Sequence, residues 1–155
     1  MVERPISQKE VEDLPVERQR VVAEVSRLSR DARFKQRVLF AYGNRCAVTR
    51  MQLRLVDAAH ILPVGAPGSS DSVTNGLSLS PTYHRAYDAG LIYLDEKCRM
   101  QLNPARLQVL RALNLALGIE AFREPLGEIF LPPDPKQRPF PDLIRKANEF
   151  RQVTV

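Results

Sequence analysis

The sequence predicts an α+β fold, and three observations carry that prediction. Apolar residues recur at helical spacing near both ends, short β-prone runs occupy the middle, and one run enters a helix through Ser80-Pro81. At 155 residues the chain suffices for one domain with its own core, without disulfide or metal staples. No apolar run approaches the ~20 residues that span a bilayer, and "MVERPISQKEVEDLP" lacks the apolar core of a secretory signal. Cys46 and Cys98 are the only cysteines and stand far apart. That argues against a disulfide framework and for a reducing, cytoplasmic setting.

Residues 1 to about 15 read as an arm, since Pro5 and Pro15 oppose a long helix. "VERQRVVAEVSRLSR" sets Val21, Val22, Val25 and Leu28 at helical spacing. Asp31 can cap a second helix, "ARFKQRVLFAY", with Phe34, Val38 and Leu39 inward and Gly43 as its stop. "RCAVT" and "LRLVDAAHI" are β-prone runs with a short connection. Residues 62–74, rich in Pro, Gly and small hydroxylated side chains, form a loop that ends in the turn dipeptide Asn75-Gly76. "LSLS" is a strand, and Ser80 and Pro81 open a helix that Gly90 closes. "LIYLDEKCRMQL" alternates about Asp95-Glu96-Lys97 as a hairpin. "PARLQVLRALNLALG" and "PDLIRKANEF" are helices, joined by the extended, proline-rich "LPPDPKQRPFP". The implied organisation is an N-terminal arm and helix over 1–30, a core over 31–103, and a helical extension over 104–155 packed on that core.

The net charge is +5, and its distribution is uneven. From Arg18 to Arg54 ten basic residues face only Glu24 and Asp31. From Asp57 to Asn103 five acids (Asp57, Asp71, Asp88, Asp95, Glu96) outnumber Arg85, Lys97 and Arg99. A basic segment beside a mildly acidic one suggests phosphate grips next to a cation site; a solvated, arginine-rich helix face is the plainer alternative.

The acidic segment holds both histidines of the chain. His60 sits on the first predicted strand, Asn75 before the second, and His84 on the helix. Phosphodiester hydrolysis needs a base for water, which a neutral imidazole supplies near neutral pH. It also needs a cation against the developing charge, which carboxylates and imidazole can hold. A loop across such a site must be pinned, and an Asn amide can bond backbone on both sides.

"AYGNRCAVTR", "DAAHILPVG" and "NGLSLSPTYHRAYDAGLIYLD" together resemble the HNH nuclease family, the ββα-metal or His-Me finger enzymes, in the branch found in bacterial restriction endonucleases. The resemblance covers roughly Arg33 to Leu102. It implies a ββα-metal (HNH) core flanked by N-terminal basic helices and C-terminal helices. It also implies a metal-dependent DNA endonuclease of restriction or phage-defence type. By position His60 is then the general base, Asn75 the brace and His84 a metal ligand. Many members carry an acid just before the first His; here Ala59 stands there. Asp57, two residues earlier on the strand, and Asp88, one helical turn past His84, are the substitute ligands. Two carboxylates and an imidazole suit Mg²⁺ or Mn²⁺. Thr49 stands where a CxxC partner of Cys46 would be, which argues against structural zinc.

DNA is the expected partner, with Arg85, Arg33, Arg37 and Arg54 on its phosphates, and no membrane is involved. No base-reading module is recognisable in the chain. Either specificity is low, or a recognition domain lies elsewhere, or a partner supplies it; a homodimer is left open. Two other activities stay open as well, an inactive HNH-fold DNA-binding module with Ala59 as its lesion, and an RNase.

Overall fold

A computed structural model describes residues 7–154. The start of the predicted arm, including Pro5, lies outside the described residues. The chain divides into two compact units at Arg33/Phe34.

The first unit holds helix α1 (Gln8–Glu12) and most of helix α2 (Val16–Ala41). The sequence called for an arm where α1 stands. Ser7 and Glu10 form a reciprocal capping box that makes the short helix possible. The two helices expected on either side of Asp31 are one. No Gly or Pro interrupts residues 16–41, and the Asp31 carboxylate pairs with Arg27 at 3.2 Å instead of capping a new helix. Val21, Val25 and Leu28 are exposed rather than inward.

In the second unit α2 ends as predicted at Gly43, whose φ of +62° suits a residue without Cβ. Phe34 and Val38 are buried there and join the core. "RCAVT" is not a strand. Cys46, Ala47 and Val48 are buried, but the segment closes on itself through Arg50 N to Cys46 O (2.8 Å) and Cys46 N to Met51 O (2.8 Å). Left-handed backbone at Leu53 and Arg54 then breaks the next run, so strand β1 is only Asp57–His60.

Strand β2 (Gly76–Leu79) pairs antiparallel with β1, and helix α3 (Pro81–Asp88) follows directly. Strands β3 (Ile92–Leu94) and β4 (Arg99–Leu102) form the predicted hairpin, and a short β5 (Gly127–Glu128) adds a third strand. Helix α4 (Pro104–Ala112) stops short of its predicted length because Asn114 takes a left-handed backbone; a separate α5 (Ile119–Arg123) follows. Helix α6 (Pro141–Phe150) lies where the sequence put it and contacts β3, with Asn148 Nδ2 donating to Leu94 O at 2.9 Å. Ile61, Leu77, Leu79, Tyr87, Ile92 and Ile144 are among the side chains this arrangement buries completely or nearly so. Among the described residues no helix is long and apolar enough to cross a membrane.

Candidate active site

β1, β2 and α3 touch one another, so the side chains they carry gather in one region. His60 ends β1 opposite Gly76. A Cβ at Gly76 would overlap Val38 Cγ2 and press on Phe34 Cε2 at 3.3 Å, so the end of α2 can approach β2 only because that position is glycine. The close approach brings Phe34 onto the His60 ring, stacked at 3.8 Å and 11°. Across the ring, Nε2 meets Asp71 Oδ1 at 3.1 Å. An ionised carboxylate only accepts, so this contact puts the hydrogen on Nε2 and leaves the lone pair on Nδ1.

Asn75 is fully buried. Its Oδ1 accepts from Leu62 N (2.8 Å), and its Nδ2 donates to Leu62 O (3.1 Å) and Ser70 O (2.8 Å). Its backbone oxygen accepts from Ile61 N at 2.9 Å. One buried residue therefore satisfies backbone groups at the start of the 62–74 loop and, through Ser70, within it.

His84 lies between two carboxylates. Nδ1 is 3.0 Å from Asp57 Oδ2 and Nε2 is 3.3 Å from Asp88 Oδ2. The Asp88 hydrogen bond raises the imidazole pKa most; burial opposes it, the Asp57 bond adds to it, and the result is about 9. The ring therefore holds its second proton at neutral pH while both carboxylates flank it.

Of the expected site residues, Asp57, His84 and Asp88 come together, while His60 turns to Asp71. Arg85 is exposed on α3, and neither it, Arg37 nor Arg54 has an ion-pair partner among the described residues. Arg54 lines a cavity with Lys35. Arg33 belongs to the first unit and donates to Ser29 Oγ at 2.9 Å.

Two residues were not anticipated. Asp71 had a signal, as the only carboxylate in the loop between His60 and Asn75. Arg151 had none. Its side chain, only 7% exposed, donates from Nη1 to Ile61 O at 2.6 Å, stacks over Tyr87 at 4.3 Å, and brings Nη2 within 3.7 Å of Asp88 Oδ1. Tyr87 Oη donates to the same Ile61 oxygen at 3.2 Å. The residue after His60 is thus held by α3 and by the end of α6 together.

Residues 46–95, which include His60, Asn75 and His84, match the HNH_2 family, described as HNH endonuclease. This segment is an HNH endonuclease domain. No curated protein matches the chain. A solved structure titled "Modification dependent TagI restriction endonuclease" is similar in fold, with a TM-score of 0.52 and 23% identity over 80% of this chain. The chain spans only 38% of that structure's length, so the comparison reaches the HNH domain and its surroundings but not the remainder of the larger protein.

The HNH domain contains no set of three or more His, Cys, Asp or Glu side chains that converges on one point among the described residues. The donors around His84 nevertheless fit a hard divalent cation in kind, with two carboxylates and one imidazole, all partly open to solvent. The two carboxylates sit on opposite nitrogens of the ring. For the three to serve as ligands, His84 must give up a proton and both carboxylates their hydrogen bonds, one of them swinging across the ring.

Proposed function

We propose that the HNH domain is a divalent-cation-dependent DNA endonuclease of restriction or phage-defence type. The observation that carries this reading is the contact of Asp57 with His84, which brings a carboxylate of the His60 strand onto the helix histidine at 3.0 Å. It supports Asp57 as the acidic donor in place of the residue that Ala59 replaces, from two positions earlier on the strand.

In this reading His60 accepts a proton from water through Nδ1. Asp71 keeps the hydrogen on Nε2, and Phe34 holds the plane of the ring. Asn75 holds the backbone that follows His60. Asp57, His84 and Asp88 hold Mg²⁺ or Mn²⁺, which when bound supplies positive charge to the phosphate and the leaving oxygen. Arg85, Arg37, Arg54 and Arg33 take neighbouring phosphates, which positions a duplex without reading it. Sequence choice then rests on a recognition domain or partner beyond the HNH domain.

The test is incubation of supercoiled plasmid with the protein under EDTA, Mg²⁺, Mn²⁺, Ni²⁺ and Zn²⁺ in parallel. Nicking or linearisation that requires one of the cations is expected. Cleavage that persists in EDTA, or its absence with every cation while the plasmid is bound, would overturn the reading.

A further inference from the structure

The segment between α2 and β1 carries a feature that the hydrolytic groups do not use. Met51, Leu53 and Leu55 are 57%, 73% and 60% exposed, three large aliphatic side chains on one five-residue loop. The loop is not slack. Cys46 N bonds Met51 O (2.8 Å), Leu55 N bonds Gln52 O (3.0 Å), and Gln52 Nε2 donates to Gly43 O (2.9 Å). Leu53 and Arg54 both hold left-handed backbone, at φ of 54° and 55°, a conformation that L residues other than Asn and Gly disfavour. A rigid loop that spends backbone strain to keep a leucine in water has the character of a functional element.

Its surroundings identify what it meets. From Phe34 to Val56 the chain has five cations, Lys35, Arg37, Arg45, Arg50 and Arg54, and not one carboxylate. Among the described residues none of the five makes an ion pair. Arg45 lies over the Phe130 ring and Arg50 donates to Glu128 O at 3.4 Å, which leaves Lys35 and Arg54 as the cations beside Leu53. Lys35 and Arg54 face a cavity of about 530 Å³ that Leu53 and Val56 also line. Two cations without ion pairs beside exposed apolar side chains complement a polyanion with an apolar interior, which describes stacked base pairs behind phosphates. Three residues span at most ~11 Å, so the backbone of Arg54 lies within that distance of Asp57, which is placed above among the ligands of the cation.

We infer that the 51–55 loop is a DNA wedge. Leu53, supported by Met51 and Leu55, enters the minor groove and partly unstacks a base step, while Lys35 and Arg54 hold the phosphates of the opened groove. The substrate class is therefore duplex DNA that bends or unstacks easily, such as mispaired or TA-rich sites. This rests on the nuclease reading and adds what that reading lacks, a preference with no base-specific contact.

The test uses the full chain with His60→Ala, with and without Leu53→Asn. Duplexes carry 2-aminopurine, which brightens on unstacking, at successive positions, either fully paired or with one mismatch. The Leu53-containing protein should brighten the probe at one or two adjacent positions and bind the mismatched duplex about tenfold more tightly. Leu53→Asn should abolish both effects yet keep salt-dependent binding, and its Tm should hold or rise, because Asn accepts left-handed backbone. Binding without brightening at any position, or brightening that survives Leu53→Asn, overturns the wedge and leaves the nuclease reading intact. No DNA binding by either protein overturns both. A Leu53-dependent dimer in sedimentation without DNA would assign the loop to a second copy and overturn the wedge.

Discussion

Asp71 Oδ1 lies 3.1 Å from His60 Nε2, across the loop whose two sides Asn75 ties together. On the proposed nuclease reading, the pairing makes Asp71 a positioning residue for the His60 ring. His60→Ala should lower plasmid cleavage by about 10²-fold or more. Asp71→Ala should lower it by less, about tenfold, and should add nothing in the His60→Ala background. An equal loss in both backgrounds would show that Asp71 acts on something other than His60.

The carboxylates around His84 make a separate claim. Asp57→Asn, Asp88→Asn and His84→Ala should each weaken Mn²⁺ binding by about tenfold or more, about 1.4 kcal/mol. Titration calorimetry on the purified variants measures this directly. If both carboxylate variants bind Mn²⁺ as the parent does, the account of how Ala59 is compensated is wrong.

Without metal, the same three residues predict a pH dependence of stability. The folded protein holds the His84 proton with a pKa of about 9, above the ~6.5 of a free imidazole. A raised pKa stabilises the fold fully below about 6.5, and that stabilisation is lost as pH rises through about 9. Asp57 and Asp88 are partly exposed, so the effect is on the order of 1 kcal/mol after solvent screening. In EDTA, Tm should fall between these pH values for the parent and stay flatter for His84→Ala. Parallel curves for the two proteins would refute the assignment.

Arg85 follows the helix histidine and has no ion-pair partner among the described residues. Each phosphate contact contributes about 0.9 to the slope of log affinity against log salt on duplex DNA. Arg85→Ala in the His60→Ala background should reduce the slope by about one contact, equally for two unrelated duplexes. An unchanged slope would place Arg85 away from the substrate.

What the sequence made legible follows the physics of each feature. His60 and His84 could be located because strand and helix signals are local, and so could the helix stop at Gly43 and the helix start at Pro81. The expected turn at Asn75-Gly76 is instead the end of a short 3-10 helix followed by an extended Gly76 that begins β2. Residues 46–49 misled because their burial comes from Ala47, which accepts from Phe130 N and donates to Ser78 O. That is a tertiary cause with a β-like composition. Val21, Val25 and Leu28 show the helical period without the burial it normally signals. The tie from Arg151 to Ile61 spans 90 residues, and nothing local at either end marks it.

That tie also gives the molecule an order in time. Chains grow from the N-terminus, so every residue assigned here to hydrolysis leaves the ribosome before the arginine that secures Ile61. A nascent chain that stops short of Arg151 has its histidines but lacks one of the two donors to the carbonyl beside the first. On the proposed nuclease reading, the backbone after His60 is fully held only once Arg151 has docked on Ile61. Arg151→Met, assayed beside the parent, should nick plasmid at least about tenfold more slowly, as a misplaced base does. Equal rates would show that the tie does not position His60.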